Sequence, residues 1–180
     1  MIEDNESWYD ECPKETIKMC SYDDENGVYL SDSEAEVINF DKVKEEFIKP
    51  KNLREICSND VLYYNENEKL YYFIEFKNGK IKSETKKNLR TKIYDSYIIF
   101  FQKFNLGIES TKINYILVYN EEKNPHSGSS CLSGAIAGRA EKQMVRFGLN
   151  KFDGYLFNKM FTVSQDEFEE KFIEKWFSIV

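Results

Sequence analysis

YYFIEFKNGK, residues 71–80, decides how the chain is read. Tyr71, Tyr72, Phe73, Ile74 and Phe76 predict a buried β-strand, and Asn78-Gly79 predicts a turn at its end. Glu75 and Lys77 interrupt the apolar run. Strand side chains alternate with a period of two, so Phe73, Glu75 and Lys77 share one face. A carboxylate and an ammonium there are either an ion pair at the solvent end of a sheet or parts of a site, because an unpaired charge among apolar neighbours is costly.

Working back from this strand, Asp60-Val-Leu-Tyr-Tyr64 reads as its hairpin partner, joined through Asn-Glu-Asn-Glu at 65–68. Closure about residues 66 and 67 sets Asp60 opposite Phe73, on the face of Glu75 and Lys77. Glu75 is then its diagonal neighbour, with about 7–8 Å between backbones. A three-residue loop or a bulge would turn Asp60 to the other face.

Outward from the hairpin, Val37, Phe40, Val43 and Phe47 predict a helix over Glu34–Phe47, ended by Pro50. Leu89, Ile93, Ser96/Tyr97, Phe100 and Phe104 form one stripe of a second helix, about Lys86–Phe104. Ile113–Tyr119 is an apolar strand, and 124–133 a loop. A helix over Gly134–Phe147 capped by Gly148, a strand over Tyr155–Val163, and a capping box at Ser164–Glu167 opening a helix to about Trp176 complete the chain. Strands apolar on both faces predict an α/β fold, a central mixed sheet flanked by helices, although the element order is also open to an α+β domain. Residues 1–32 read as an acidic N-terminal extension with some packing at Trp8, Tyr9 and Val28–Leu30, and 33–180 as a single domain.

At 180 residues, 41% hydrophobic and 16% aromatic, the chain buries a core without disulfides. No run is long enough for a membrane helix, and the acidic start is unlike a secretory signal, so a cytoplasmic location is expected. Cys12, Cys20, Cys57 and Cys131 lack a paired spacing for zinc or an iron–sulfur cluster, and the single His126 lies in a predicted surface loop. The loop segment GSSCLSG lacks the lysine of a phosphate-binding loop. The net charge of −7 is uneven: residues 1–47 hold fifteen acids against four lysines, and the rest seventeen acids against twenty-one bases. A basic stretch from Lys77 to Lys103 includes Lys86, Lys87, Arg90 and Lys92, candidates for phosphate contacts.

Two carboxylates converging beside a lysine are the parts of a metal-dependent phosphodiesterase. Mg²⁺ (or Mn²⁺) takes hard oxygen ligands, here Asp60, Glu75 and the Phe76 carbonyl, lowers the pKa of a bound water and polarises the phosphate. Lys77 would position the water and stabilise transition-state charge.

Asp60, fourteen intervening residues, then Glu75-Phe76-Lys77 at the end of an apolar strand resembles the D…(D/E)xK signature of the PD-(D/E)XK nuclease superfamily. The wording FIEFKNG, followed by TKIYDSY and YILVYN, is similar to small bacterial members. Asn59 stands where a proline often precedes the first acid. The resemblance implies a restriction-endonuclease-like core of helix, three-stranded meander, helix and strand, matched over about Glu34–Tyr119. The first strand of that meander would lie around Asn52–Cys57. It further implies Asp60 and Glu75 as metal ligands, Lys77 as the catalytic lysine, an acid from the first helix (Glu45 or Glu46), and polar residues of the second helix near the site (Lys92, Ser96). The expected partner is DNA or RNA. A second expectation is a non-enzymatic interaction protein of the immunity or inhibitor type, in which the acidic N-terminal quarter binds a partner or mimics phosphate charge.

Overall fold

The structure is a computed structural model that describes residues 7–54, 56–108, 111–125 and 145–177. A six-stranded mixed sheet forms its centre, with strand order β1-β4-β5-β6-β7-β8. The strands are Lys14–Thr16 (β1), Glu36–Asn39 (β4), Val61–Asn65 (β5), Leu70–Lys77 (β6), Ile113–Tyr119 (β7) and Lys159–Ser164 (β8). From β1 to β6 neighbours run antiparallel; β6, β7 and β8 run parallel. A separate two-stranded hairpin, Tyr22–Asp23 (β2) and Val28–Tyr29 (β3), stands over one end of the sheet.

Each sheet face carries its own core. Phe73, Leu62, Tyr115 and Leu117 pack under the helices Phe40–Ile48 (α3) and Ser83–Phe104 (α4). Val61, Tyr72, Ile74, Phe76, Ile116, Val118 and Val163 pack under the C-terminal helical run. That run comprises Gln165–Phe168 (α5), a π-turn at Glu169–Ile173, and Glu174–Phe177 (α6). The expected α/β architecture is therefore present. The capping box is present too: Ser164 Oγ accepts from the Glu167 N–H, and the Glu167 carboxylate accepts from the Ser164 N–H.

The first expected helix divides into strand and helix. Val37 and Ile38 are adjacent, fully buried, and belong to opposite cores, which only extended backbone allows. Asn39 then caps α3, its side chain accepting from the Lys42 N–H, so the helix starts at Phe40. The strand that precedes the β5–β6 hairpin is therefore Glu36–Asn39, ahead of α3, and 52–57, where it was expected, holds no strand among the described residues. The expected 155–163 strand begins only at Lys159; Tyr155 lies exposed in the turn before it. Residues 134–144 of the expected third helix, His126, Cys131 and GSSCLSG lie outside the described residues; 145–147 are not helical, and Gly148 has the left-handed conformation (φ +72°).

The acidic N-terminal segment is built into the fold. Trp8, on the helix Ser7–Glu11 (α1), stacks on Phe104 at 3.9 Å between ring centroids. β1 pairs with β4, and Ile17, on the short helix Ile17–Cys20 (α2), is fully buried. Leu30 is buried as well. No helix among the described residues is long and apolar enough to cross a membrane.

Candidate active site

The β5–β6 hairpin pairs Val61 with Ile74 and Leu62 with Phe73, two residues from the expected register. The Asn65 side chain accepts from the Glu68 N–H and Lys69 takes a positive φ, so 66–69 form the loop. A slip of two keeps every side chain on its face. It moves Asp60 level with Glu75 instead of diagonal to it. The Phe76 N–H donates to Asp60 Oδ2 at 2.7 Å and fixes that carboxylate at the strand end.

Four charges meet there. Glu75 is fully buried. Lys77 Nζ lies 2.7 Å from Glu75 Oε1. Lys92, reaching across from α4, donates to Glu75 Oε1 at 2.8 Å, Glu75 Oε2 at 3.0 Å and Asp60 Oδ1 at 3.1 Å. One ammonium thus sits where the two carboxylates converge. Burial, then the Glu75 charge, pushes the Asp60 carboxyl up to about 6, against the pull of Lys92 and Lys77. Burial alone would lower the Lys92 ammonium, but Glu75 and Asp60 outweigh it and hold it above its ordinary value. Lys92 is therefore a fixed cation at neutral pH.

The surrounding elements position this group. Ser96, buried on α4, accepts from the Asn59 N–H at 2.7 Å and anchors the chain where it enters β5. Asp95 accepts from the Cys57 N–H at 2.9 Å. The Phe40 N–H donates to the Asp60 carbonyl, joining the start of α3 to the same bend.

A cleft of about 1050 Å³ opens over Asp60, Lys77 and Lys92. α4 lines it with Thr85, Asn88 and Lys92, at helical spacing on one face, and α3 lines it with Asp41. The N-terminal segment forms another wall, with Glu15, Met19, Tyr22, Asp23, Asp24 and Glu25. Asp23 Oδ2 accepts from Asn78 Nδ2 at 2.7 Å, tying this wall to the residue after β6. In the sequence Asp23, Asp24 and Glu25 stood out only as part of the acidic N-terminal extension.

Several expected residues lie elsewhere. Lys92 is ion-paired with both carboxylates and so is not an outward phosphate contact. Lys86 and Lys87 lie on other faces of α4 from Thr85, Asn88 and Lys92. The Arg90 guanidinium lies against Gly148, where a Cβ would meet Nη2 at 3.3 Å. Glu46 pairs with Lys103 at 2.8 Å, and Glu45 is exposed on α3; the acid that helix brings to the cleft is Asp41, from its first turn. Asp41 and the Thr85/Asn88 pair were missed. A polar 85-88-92 stripe just after the Asn-Gly turn was the available signal.

Among the described residues, no three His, Cys, Asp or Glu side chains are grouped to hold a metal ion. The donor set is the Asp60–Glu75 pair, all oxygen, already converged on one cationic centre. Comparison with protein-family models, curated proteins and solved structures finds no match to the chain.

Proposed function

We propose that the protein is a Mg²⁺-dependent phosphodiesterase acting on DNA or RNA, on a restriction-endonuclease-like core. The observation that carries this reading is the meeting of Asp60, Glu75 and Lys77 on one sheet face at the floor of a cleft. The run β4-β5-β6-α4-β7 supports the fold assignment; the place of α3, after the first strand and not before it, departs from the implied order.

Asp60 and Glu75 would hold the metal with water and substrate oxygens completing its shell, which suits an ion that takes one or two carboxylates. The Lys92 ammonium stands in for a cation at that point and would give way to it. When bound, the metal supplies an acidified water and Lewis-acid polarisation of the phosphate. Lys77, partly exposed at the cleft floor, orients the attacking water and faces the charge that develops on the phosphoryl oxygens. Phe76 holds Asp60 in place through its N–H, and Ser96 holds the bend that carries Asp60.

The test is hydrolysis of bis(4-nitrophenyl) phosphate and of labelled oligonucleotides with Mg²⁺ or Mn²⁺. Glu75→Gln and Lys77→Met should each reduce turnover by about two orders of magnitude or more, as removal of a positioned catalytic group does. Turnover that survives both changes refutes the assignment.

A second reading, a non-enzymatic partner-binding protein, draws on the charge of the cleft. Its lining carries six carboxylates (Glu15, Asp23, Asp24, Glu25, Asp41, Asp60) against Lys77 and Lys92. Salt-sensitive binding of a basic protein, with no hydrolysis under any divalent cation, would favour it.

A further inference from the structure

The β2–β3 hairpin changes from buried to exposed at two sharp points. Ser21, Leu30 and Ser31 are buried, whereas every residue between them is exposed or, at Asp23, half-buried. The base is fixed. The Ser21 hydroxyl accepts from the Leu30 and Ser31 N–H groups and donates to the Lys18 carbonyl, and the Ser31 hydroxyl donates to Glu169 on the π-turn. The tip, residues 22–29, adds no side chain to either core, and its strands of two residues each are too short to be stable by themselves. Lys18, beside the base, lies over the Tyr29 ring at 5.5 Å, a weak contact at an exposed site. Among the described residues, one hydrogen bond ties the tip to the sheet, from Asn78 Nδ2 to Asp23 Oδ2.

That tie is directional. The Lys123 N–H donates to Asn120 Oδ1, Asn120 Nδ2 donates to Asn78 Oδ1, and Asn78 Nδ2 donates to Asp23 Oδ2, so each amide is oriented by the one before it. The Asn120 N–H also donates to the Lys77 carbonyl at 3.1 Å, which anchors the chain of amides at the end of β6. Hydrogen bonds, the one from Asn78 foremost, hold the Asp23 carboxyl below its ordinary value, so the tie is charge-assisted. The tip also stands between two cavities. On one side Asp23, Asp24 and Glu25 line the cleft over Lys77. On the other, Val28 and Tyr29 line a second cavity of about 860 Å³, with Asn120 and Ser164 from the ends of β7 and β8. Asn26 of the tip and Asn78 line both.

We propose that residues 22–29 form a latched strap, hinged at the buried Ser21 and Leu30–Ser31 base and closed by the Asp23–Asn78 hydrogen bond, whose opening joins the two cavities into one groove. The groove runs across the C-terminal ends of the parallel strands β6, β7 and β8, the side of such a sheet on which ligands bind. A fixed base and a tip held at one point are the parts of a hinge, and breaking one charge-assisted hydrogen bond changes an opening equilibrium by about tenfold or more. The strap governs access to the cleft over Lys77 whatever chemistry that cleft performs, so the proposal does not depend on the phosphodiesterase reading.

The test is a distance measurement by pulsed electron paramagnetic resonance on the full chain, without metal or substrate. Nitroxides are attached through p-acetylphenylalanine at Glu25, on the tip, and at Glu122, on the rim of the second cavity, which leaves the native cysteines untouched. Asp23→Asn keeps Oδ1 as acceptor for the Glu25 and Asn26 N–H groups but turns an amine toward Asn78 Nδ2, donor against donor. It should raise the ratio of a longer to the closed distance by about tenfold over wild type. The swap Asp23→Asn/Asn78→Asp restores the tie with donor and acceptor exchanged and should return the closed distance. The swap does not restore the Asn26 side-chain bond to Asp23, so recovery assigns opening to the tie and not to the turn. A single unchanged distance in Asp23→Asn, or a longer population that the swap fails to reduce, overturns the proposal. Because no hydrolysis is read, that failure leaves the catalytic reading standing, and loss of the catalytic reading leaves the strap standing.

Discussion

The two faces of β6 are built from the same eight residues and do opposite things. Tyr72, Ile74 and Phe76 pack into an apolar core beneath the C-terminal helical run. Phe73, Glu75 and Lys77 begin in a core of the same kind, beneath α4, and end in four interlocked charges. The difference is what covers the strand end. On one face Phe168 packs edge-on against Phe76 at 5.7 Å. On the other, the cover is the cleft, and Lys92 and Lys77 neutralise what apolar side chains would otherwise fill. An apolar face is stabilised by each group separately, whereas the charged face is stable only as a set.

That contrast can be broken most directly at Lys92. Lys92→Met should destabilise the protein by about 3–5 kcal/mol, since it leaves Glu75 buried with Asp60 beside it and one partner fewer. The double change Glu75→Leu/Lys92→Met should recover most of that loss, because removing a buried pair together is near neutral. Phe76→Ala on the other face should cost a similar ~3–5 kcal/mol. Chemical denaturation of the three variants decides it: failure of the double variant to recover would mean the charged set stabilises as the apolar core does.

A smaller effect is read in pH. The Asp60 carboxyl is pushed up to about 6 by burial and by Glu75, above its ordinary value of 3.8. The folded chain therefore holds this proton more tightly than the unfolded one. The contribution is fully present below about pH 4 and is lost as pH rises through about 6. Two pK units correspond to roughly 3 kcal/mol at most. In metal-free protein, the stability difference between wild type and Asp60→Asn should change across pH 4–6 and be flat above it. A difference that is constant across that window would show that Asp60 titrates normally. Smallest, Asn39→Ala should cost about 1 kcal/mol, the usual worth of an N-cap, and leave the charged set intact. A loss of Mg²⁺ affinity in that variant would mean that the start of α3 positions Asp60 more strongly than its one backbone hydrogen bond implies.

Face parity was legible in the sequence because it depends only on the period of a strand. Register was not. It turned on Lys69 adopting a left-handed conformation and on the Asn65 side chain capping the loop, and neither alters the hydrophobic pattern. The slip of two nevertheless spared the Asp60–Glu75–Lys77 set, since only odd slips exchange faces. Residues 34–47 misled for a related reason. Val37, Phe40, Val43 and Phe47 keep helical spacing although Val37 belongs to a strand, and only the burial of its neighbour Ile38 in the other core separates the two. Lys92 was legible as a residue near the site and illegible as its central cation. That role requires α4 to cross over the end of β6, a tertiary fact with no local signature.

β1 has a second consequence, beyond placing the cleft wall. By pairing with β4 it closes one margin of the sheet, and only three residues of it do so. A chain shortened to begin near residue 30 would open the cleft and also leave β4 with a free row of N–H and C=O groups. Buried Val37 and Ile38 lie in that strand, the template that invites intermolecular strand addition. Such a chain would be expected to aggregate whatever its chemistry, so the wall is better probed by single substitutions than by deletion. One short segment thus both lines the cleft and covers the outer edge of β4.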